Sequence, residues 1–223
     1  MIGWPGFIYK GLLYKYYMNS CYHVLDPKQQ AIDQAAKIAA SLERLGHIIL
    51  TAMREAAHKV GLSPIQARIL IHIGTHETSD SGMSALAAFF DVTVPTVSDA
   101  VNALVRKEVL VKQTSPEDAR ARILELTDKG RNVFRDLSSW SEPLEDALTG
   151  FSAREMEKTA DSLLRLVSGL HARGRVGIAR MCPFCTHYAQ PTDGTRMAFC
   201  RLLAAPLSPA DHRLDCPEFQ VKA

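Results

Sequence analysis

The chain of 223 residues is 47% hydrophobic and 22% charged, with a formal net charge of +2. It is long enough for one substantial core and a small appendage, and its composition is ordinary for a soluble globular protein. No apolar run approaches the roughly 18 residues of a membrane span. With charge so near balance, any polyanion-binding role must rest on local patches and not on the field of the whole protein.

Residues 1–17 hold six of the sixteen Phe, Trp and Tyr residues, among them Trp4, Phe7, Tyr9 and Tyr14. The segment lacks the apolar core and small-residue cleavage site of a signal peptide. We read residues 1–27 as a disordered leader, with Met18 as a second candidate start, ahead of a membrane-surface or dimer arm. From Lys28 to Val60 the residues Ile32, Ala35, Ala36, Ala39, Leu42, Leu45, Ile49, Met53, Ala56 and Ala57 recur at spacings of three and four. That is one apolar face of a long helix. Gly61 suits the left-handed position after it, Ser63 caps the next helix, Pro64 opens it, and Gln66 completes a capping box. The face is larger than one small module needs, which predicts packing against a second subunit.

The second helix, Pro64 to His76, turns Ile65, Ile69, Leu70 and Ile73 inward. His72 and His76 stand four apart, a helical metal-pair spacing. No third ligand lies nearby in sequence, so they read as surface or loop-end histidines. After a polar loop from Glu77 to Gly82, Ser84 is expected to cap a short helix with Leu86, Ala87 and Phe90 inward. Asp91-Val92 then makes a turn, and Thr93 caps a helix that tolerates Pro95 in its first turn. Val97, Val101, Leu104 and Val105 form its predicted buried stripe. Its other face carries Thr96, Ser98, Asp99, Asn102 and Arg106, with Lys107 following. Small polar groups at a helix N-terminus approach bases and phosphates closely, Asn102 suits adenine, and Arg106 and Lys107 suit phosphate.

Leu110–Gln113 and Arg122–Leu126 read as two strands joined by the tip 114–121. An arginine at a hairpin tip can enter a narrow minor groove, and Asp118 two residues before Arg120 can fix its aim. Thr127 caps a helix over Asp128–Ala147, interrupted near Pro143. Ser152 and Glu155 box a last helix striped by Met156, Ala160, Leu163, Leu164, Val167 and Leu170.

A helix-turn-helix followed by a wing is a reader of duplex DNA. The stretch resembles the multiple-antibiotic-resistance regulator (MarR) family through Leu86-Ala87, Val97-Ser98, Leu104, Val109-Leu110-Val111, Pro116 to Ala121 and Leu126-Thr127-Asp128-Lys129-Gly130. The resemblance spans residues 28–171. It implies a mainly α fold in which long N- and C-terminal helices form a homodimer. It also implies a palindromic DNA operator, read by recognition helices in major grooves and wing arginines in minor grooves. A small-molecule effector between the dimerisation and DNA-binding parts is a further implication. With no secretory signal the chain reads as cytoplasmic, and no paired acid–base constellation, nucleophile motif or phosphate loop supports an enzyme. The DNA-binding set is then Ser84, Thr93, Pro95, Thr96, Ser98, Asp99, Asn102, Arg106, Lys107, Asp118, Arg120 and Arg122. Two positions depart from the family pattern. Asp99 stands where many relatives are basic, and Glu108 stands at or beside a turn position usually glycine-like. From Arg106 to Arg131 there are seven Lys/Arg against five Asp/Glu, so binding should depend on salt.

Residues 172–181 read as a linker and 182–223 as a separate module. Cys182-Pro183-Phe184-Cys185 is followed by Cys200 and Cys216. A tight Cys-x-x-Cys presents two thiolates to one centre, and two more close a tetrahedral site. A tail with so little hydrophobic periodicity needs a staple, which favours structural Zn2+ over an iron–sulfur cluster and both over a disulfide switch. His187 and His212 are substitute ligands. Cys-Pro-Phe-Cys also looks like a glutaredoxin site, but Pro191 and Gly194 leave no helix to activate a thiol.

Overall fold

The computed structural model describes residues 25–76, 82–114, 122–175, 180–191 and 197–222. The chain forms two compact units, residues up to Glu55 and residues from Ala56 onward. Among the described residues no single helix is long and apolar enough to cross a membrane.

In the first unit, the helix expected to run unbroken from Lys28 is interrupted. Helix α1 spans Pro27–Ile32 and α2 starts at Gln34 and runs to Lys59. The break falls on Asp33, whose extended backbone ends α1 while its carboxylate accepts from the amide of Ala35 at 2.9 Å. An Asp side chain offers an incoming helix turn a better partner than continued helix does. Ile32, Ile38, Leu45, Ile48 and Leu50 are all exposed in the single chain.

The second unit begins with the end of α2. Gly61 adopts φ +69°, and the amide of Leu62 returns to the carbonyl of Ala57 at 2.8 Å. Helix α3 (Pro64–Thr75) has the expected reciprocal box between Ser63 and Gln66. Helix α4 (Met83–Phe90) differs at its start: Gly82 is the N-cap and Ser84 lies inside the first turn, exposed. Asp91, at φ 53°, makes the sharp turn. Helix α5 (Val94–Arg106) is capped by Thr93, whose hydroxyl accepts from the amide of Thr96. Its buried stripe is Val97, Ala100, Val101 and Leu104, with Val105 only half-buried. These residues and Ile69, Leu70, Leu86, Leu110, Leu124 and Leu137 make the core. Each fully buried Val, Leu or Ile contributes about 1.5–3 kcal/mol by leaving water.

Strands β1 (Leu110–Thr114) and β2 (Arg122–Leu126) pair antiparallel, with Leu110 opposite Leu126 and Thr114 opposite Arg122. Helix α6 (Asp128–Ser138) is followed by a 3₁₀ turn and α7 (Glu142–Leu148), so the chain breaks just before Pro143 as expected. Helix α8 (Ala153–His171) has the Ser152–Glu155 box, and no residue in it is buried. The tail forms a three-stranded antiparallel sheet of β3 (Tyr188–Ala189), β4 (Ala198–Cys200) and β5 (Ala205–Leu207), in the order β3-β4-β5. Arg180 and Met181, at the end of the segment read as a linker, are built into this tail, with Met181 1% exposed.

The root of the hairpin is tied by Thr127. Its hydroxyl donates to the carbonyl of Glu108 at 2.6 Å and accepts from the amide of Gly130 at 2.9 Å. A Cβ on Gly130 would lie 2.0 Å from the carbonyl oxygen of Val109. Glu108 itself sits at φ 61°, a region disfavoured for residues other than glycine. Gly130→Ala should therefore destabilise the fold by about 1–3 kcal/mol through overpacking. Glu108→Gly should stabilise it by up to about 1 kcal/mol as left-handed strain is relieved. Urea denaturation of the three proteins checks both signs.

Candidate nucleic-acid interface and cysteine site

The α4–turn–α5 corner leaves the N-terminal end of α5 uncovered. Thr93, Pro95, Thr96, Asp99, Arg106 and Lys107 are exposed, while Ser98 and Asn102 are half-buried. The Thr93 and Thr96 hydroxyls are 2.8 Å apart, a small polar pair at the positive end of the helix. Lys112 of β1 donates to Asn102 Oδ1 at 2.7 Å. That bond occupies the amide oxygen and adds a cation to this face. Lys107 donates to the carbonyl of Gly61, so its charge ties down the α2–α3 connection. Asp118 and Arg120 lie outside the described residues, as does the rest of the tip 115–121. The backbone of Arg122 is the first position of β2.

A second concavity lies between α3, β2 and α6. Ile73, Gly74, Leu124, Leu126, Phe134 and Arg135 line an open volume of about 520 Å³.

All four tail cysteines face one small cavity of about 30 Å³, together with His187, Leu203, Arg213 and Glu218. Backbone hydrogen bonds explain the convergence. A 3₁₀ turn over Cys182–Phe184 brings Cys182 and Cys185 together. The β3–β4 register places Cys200 opposite Tyr188. The amide of Cys216 donates to the carbonyl of Arg180 at 3.1 Å, two residues before Cys182. The four thiols are free, with Cys182 and Cys185 buried. Among the described residues, no group of three or more Cys, His, Asp or Glu is drawn together closely enough to hold a single ion.

The surroundings of the thiols are polarised. The amide of Arg213 donates to Cys182 Sγ at 3.3 Å, and its guanidinium lies 3.8 Å from Cys216 Sγ and 3.0 Å from Glu218. Burial pushes the Cys216 thiol up from its ordinary range, and a 3.3 Å hydrogen bond to Glu218 pushes it further. Tyr188 is likewise held up by burial. Burial holds His212 below the usual imidazole range, against the pull of Asp161 and Asp211. The buried Nε2 atoms of His187 and His212 have no hydrogen-bond partner among the described residues. His187 lines the same cavity as the four thiols, and an imidazole nitrogen with thiolates is a donor set suited to a soft or borderline metal.

Of the two histidines read as surface or loop-end residues, His76 does stand at the helix end, whereas His72 is buried. His72 is 4% exposed, packed among Phe89 and Phe90. His76 caps α3 and its Nε2 lies 2.7 Å from Asp215 in the tail. Sequence reading missed Lys112, Arg180, Arg213 and Asp215. Lys112, Arg180 and Asp215 act through partners ten or more residues away, and Arg213 joins Cys216 and Glu218 nearby to Cys182 across the tail.

A helix-turn-helix with an exposed recognition helix and a two-stranded wing defines the winged-helix class. Residues 60–121 match the family model described as MarR family. MhqR, an HTH-type transcriptional regulator of Bacillus subtilis (strain 168), is 26% identical over 145 residues, covering 63% of this chain and 95% of its own. A crystal structure of a MarR family transcription regulator superposes with a TM-score of 0.57 at 18% identity, over 67% of this chain and 99% of that one. Staphylococcus aureus MarR in complex with salicylate and kanamycin gives 0.53 at 19% identity, over 62% and 93%. An S. aureus MepR–DNA complex gives 0.51 at 20%, over 59% and 97%. At these identities the structural likeness is one of fold.

The opposed contacts on Cys216 give a chemical test. In chelator-treated protein, Glu218→Gln removes the neighbouring carboxylate that disfavours the thiolate. Alkylation of Cys216 by iodoacetamide at neutral pH should accelerate. Peptide mass spectrometry reads the rate, and slower alkylation would reverse the assigned sign.

Proposed function

We propose that this protein is a homodimeric, sequence-specific DNA-binding transcriptional regulator with a structural zinc in its cysteine tail. The observation that carries the reading is the exposed recognition helix α5 joined through Lys112 to a wing, within a segment matched to the MarR family. Helices α2 and α8 leave apolar stripes uncovered, including Leu45, Ile48, Leu163 and Leu170. Exposed apolar rows on two long helices favour burial against a second copy. A two-fold pair of recognition helices calls for a palindromic operator. In this reading Thr93, Thr96, Ser98 and Asn102 meet bases or phosphates, Arg106 and Lys112 meet phosphate, and Asp118 aims Arg120 into the minor groove. Asp99 penalises approach to phosphate, which makes affinity depend on sequence and salt. The protein acts in the cytoplasm, and the α3–β2–α6 concavity is a candidate for a small anionic effector, since Arg131 and Arg135 border it.

Zinc would be held by Cys182, Cys185, Cys200 and Cys216, and supplies cross-linking rather than chemistry. The cavity, about 30 Å³, has room for one or two water-sized groups, which suits a single ion better than a polyatomic cluster. The second reading is an iron–sulfur cluster, which would use the same four thiolates. Either group would close the site on binding, since metal sites of this kind are rarely preformed. A thiol oxidoreductase gains nothing from the geometry: residues 186–191 after Cys185 contain no helix.

Two measurements test the proposal. Anaerobically purified protein should be colourless and contain one zinc per chain, and Cys182→Ser with Cys185→Ser should release it. Visible absorption with iron and sulfide would replace zinc by the cluster. An operator selected from random duplexes should be bound at fixed salt roughly tenfold or more weakly by Arg120→Ala, with the dimer intact by light scattering. Unchanged affinity would remove the wing from the interface.

A further inference from the structure

Asp215 sits between the cysteine site and the DNA-reading helices. Its Oδ2 lies 2.7 Å from His76 Nε2, at the C-cap of α3, and its Oδ1 lies 3.2 Å from Arg180 Nε. Both tail partners lie close to thiols in the chain: Asp215 immediately precedes Cys216, and Arg180 stands two residues before Cys182. They are also cross-tied. The Arg180 guanidinium donates to the carbonyls of Cys216 and Pro217 at 3.0 and 3.1 Å, while its own carbonyl accepts from the Cys216 amide. The carboxylate is therefore aimed at His76 by the same backbone crossing that brings Cys216 to Cys182.

The path continues inward through stacked rings. His76 lies 3.8 Å from His72, centroid to centroid, with the planes 17° apart. His72 is buried against Phe89 at 4.4 Å and Phe90 at 5.7 Å, both in α4, the first helix of the helix-turn-helix. Phe90 in turn lies under the Arg68 guanidinium at 4.9 Å. Helix α4 packs on the recognition helix α5, so a change in the set of α4 is felt where DNA would be read.

We propose that metal in the cysteine site locks α4 through Asp215, His76 and His72, so that loading of the tail sets the rigidity of the helix-turn-helix. This inference rests on the metal reading of the tail given above. When the four thiolates close on an ion, Arg180 and Asp215 are held in register and the carboxylate fixes His76. When the ion is removed, the tail loses its cross-link, Asp215 is no longer aimed, and the His72 stack loses its outer support. Reciprocity follows from linkage: whatever strengthens the α4–α5 arrangement also strengthens metal retention.

Hydrogen exchange of the full chain, with zinc added or with chelator present, tests the lock. In the wild-type chain, zinc should slow exchange of the Met83–Phe90 amides several-fold, together with those around Cys182–Cys185 and Cys216. His76→Phe keeps a ring on His72 but removes the bond to Asp215. In that variant the zinc effect on the tail should persist and the effect on α4 should vanish; Asp215→Asn serves as an independent second variant. Persistence of the α4 effect in either zinc-binding variant overturns the lock. So does a wild-type chain whose tail is protected by zinc while α4 is unchanged. Absence of zinc binding and of tail protection overturns the metal reading itself, and the lock with it.

Discussion

The position of the wing depends on one crowded backbone junction. The carbonyl of Val109 accepts from the amide of Thr127 at 3.3 Å while occupying the space where a side chain on residue 130 would begin. Thr127 bonds across to Glu108 and forward to Gly130. The end of α5, the root of both strands and the start of α6 are thus fixed at one point. This accounts physically for the Leu126-Thr127-Asp128-Lys129-Gly130 run through which the resemblance is sharpest: the threonine caps and ties, and only glycine admits the approaching carbonyl. The left-handed Glu108 belongs to the same knot. Its strain is borne because Thr127 donates to its carbonyl and Lys129 reaches its carboxylate at 3.6 Å. The hairpin consequently leaves α5 in a set direction, as a two-element reader of a duplex requires.

What was legible in the sequence was local. Caps at Ser63, Thr93, Thr127 and Ser152, the left-handed Gly61 and the turn at Asp91 follow from interactions spanning three or four residues, which sequence order displays directly. The misread positions were decided elsewhere. Asp33 was counted within a helical face because periodicity ignores its ability to cap the following turn. Ser84 seemed a cap because its residue type fits, but the backbone turned two residues earlier, at Gly82. His72 was read as a surface or loop-end histidine because no third ligand lies nearby in sequence; its burial depends on Phe89 and Phe90 arriving from α4, which helical spacing in α3 cannot reveal.

The tail shows the same division. The Cys-x-x-Cys turn was legible, and Cys200 and Cys216 could be assigned to it by residue type alone. Their meeting depends on the register of β3 with β4 and on Cys216 crossing to Arg180, neither of which is written in spacing. The buried apolar residues of this module are few: Met181, Cys182, Cys185, Ala198 and Leu207. Burying them yields only several times the roughly 1.5–3 kcal/mol of a large side chain, against about 1–2 kcal/mol of backbone entropy for every residue ordered. So small a core favours a cross-link at the cysteines, and the upward-shifted Cys216 thiol fits a site whose thiolates form when a cation arrives.

Magnitudes decide how strongly such a tail could act on the reader. His76 and Asp215 have side chains 18% and 31% exposed, so the hydrogen bond between them is partly shielded from water and contributes about 0.5–1.5 kcal/mol net. A ligand shifts an equilibrium only by its differential affinity for the two states. A contact of about 0.5–1.5 kcal/mol therefore biases the set of α4 by roughly two- to tenfold, far below the roughly ten-thousand-fold needed for complete switching. A tail coupled through this one hydrogen bond tunes a reader that already stands on its own core of Ile69, Leu70, Leu86, Val97, Val101 and Leu104. The cysteine module then grades DNA affinity, and the Thr127 knot determines that there is a DNA-reading surface to grade.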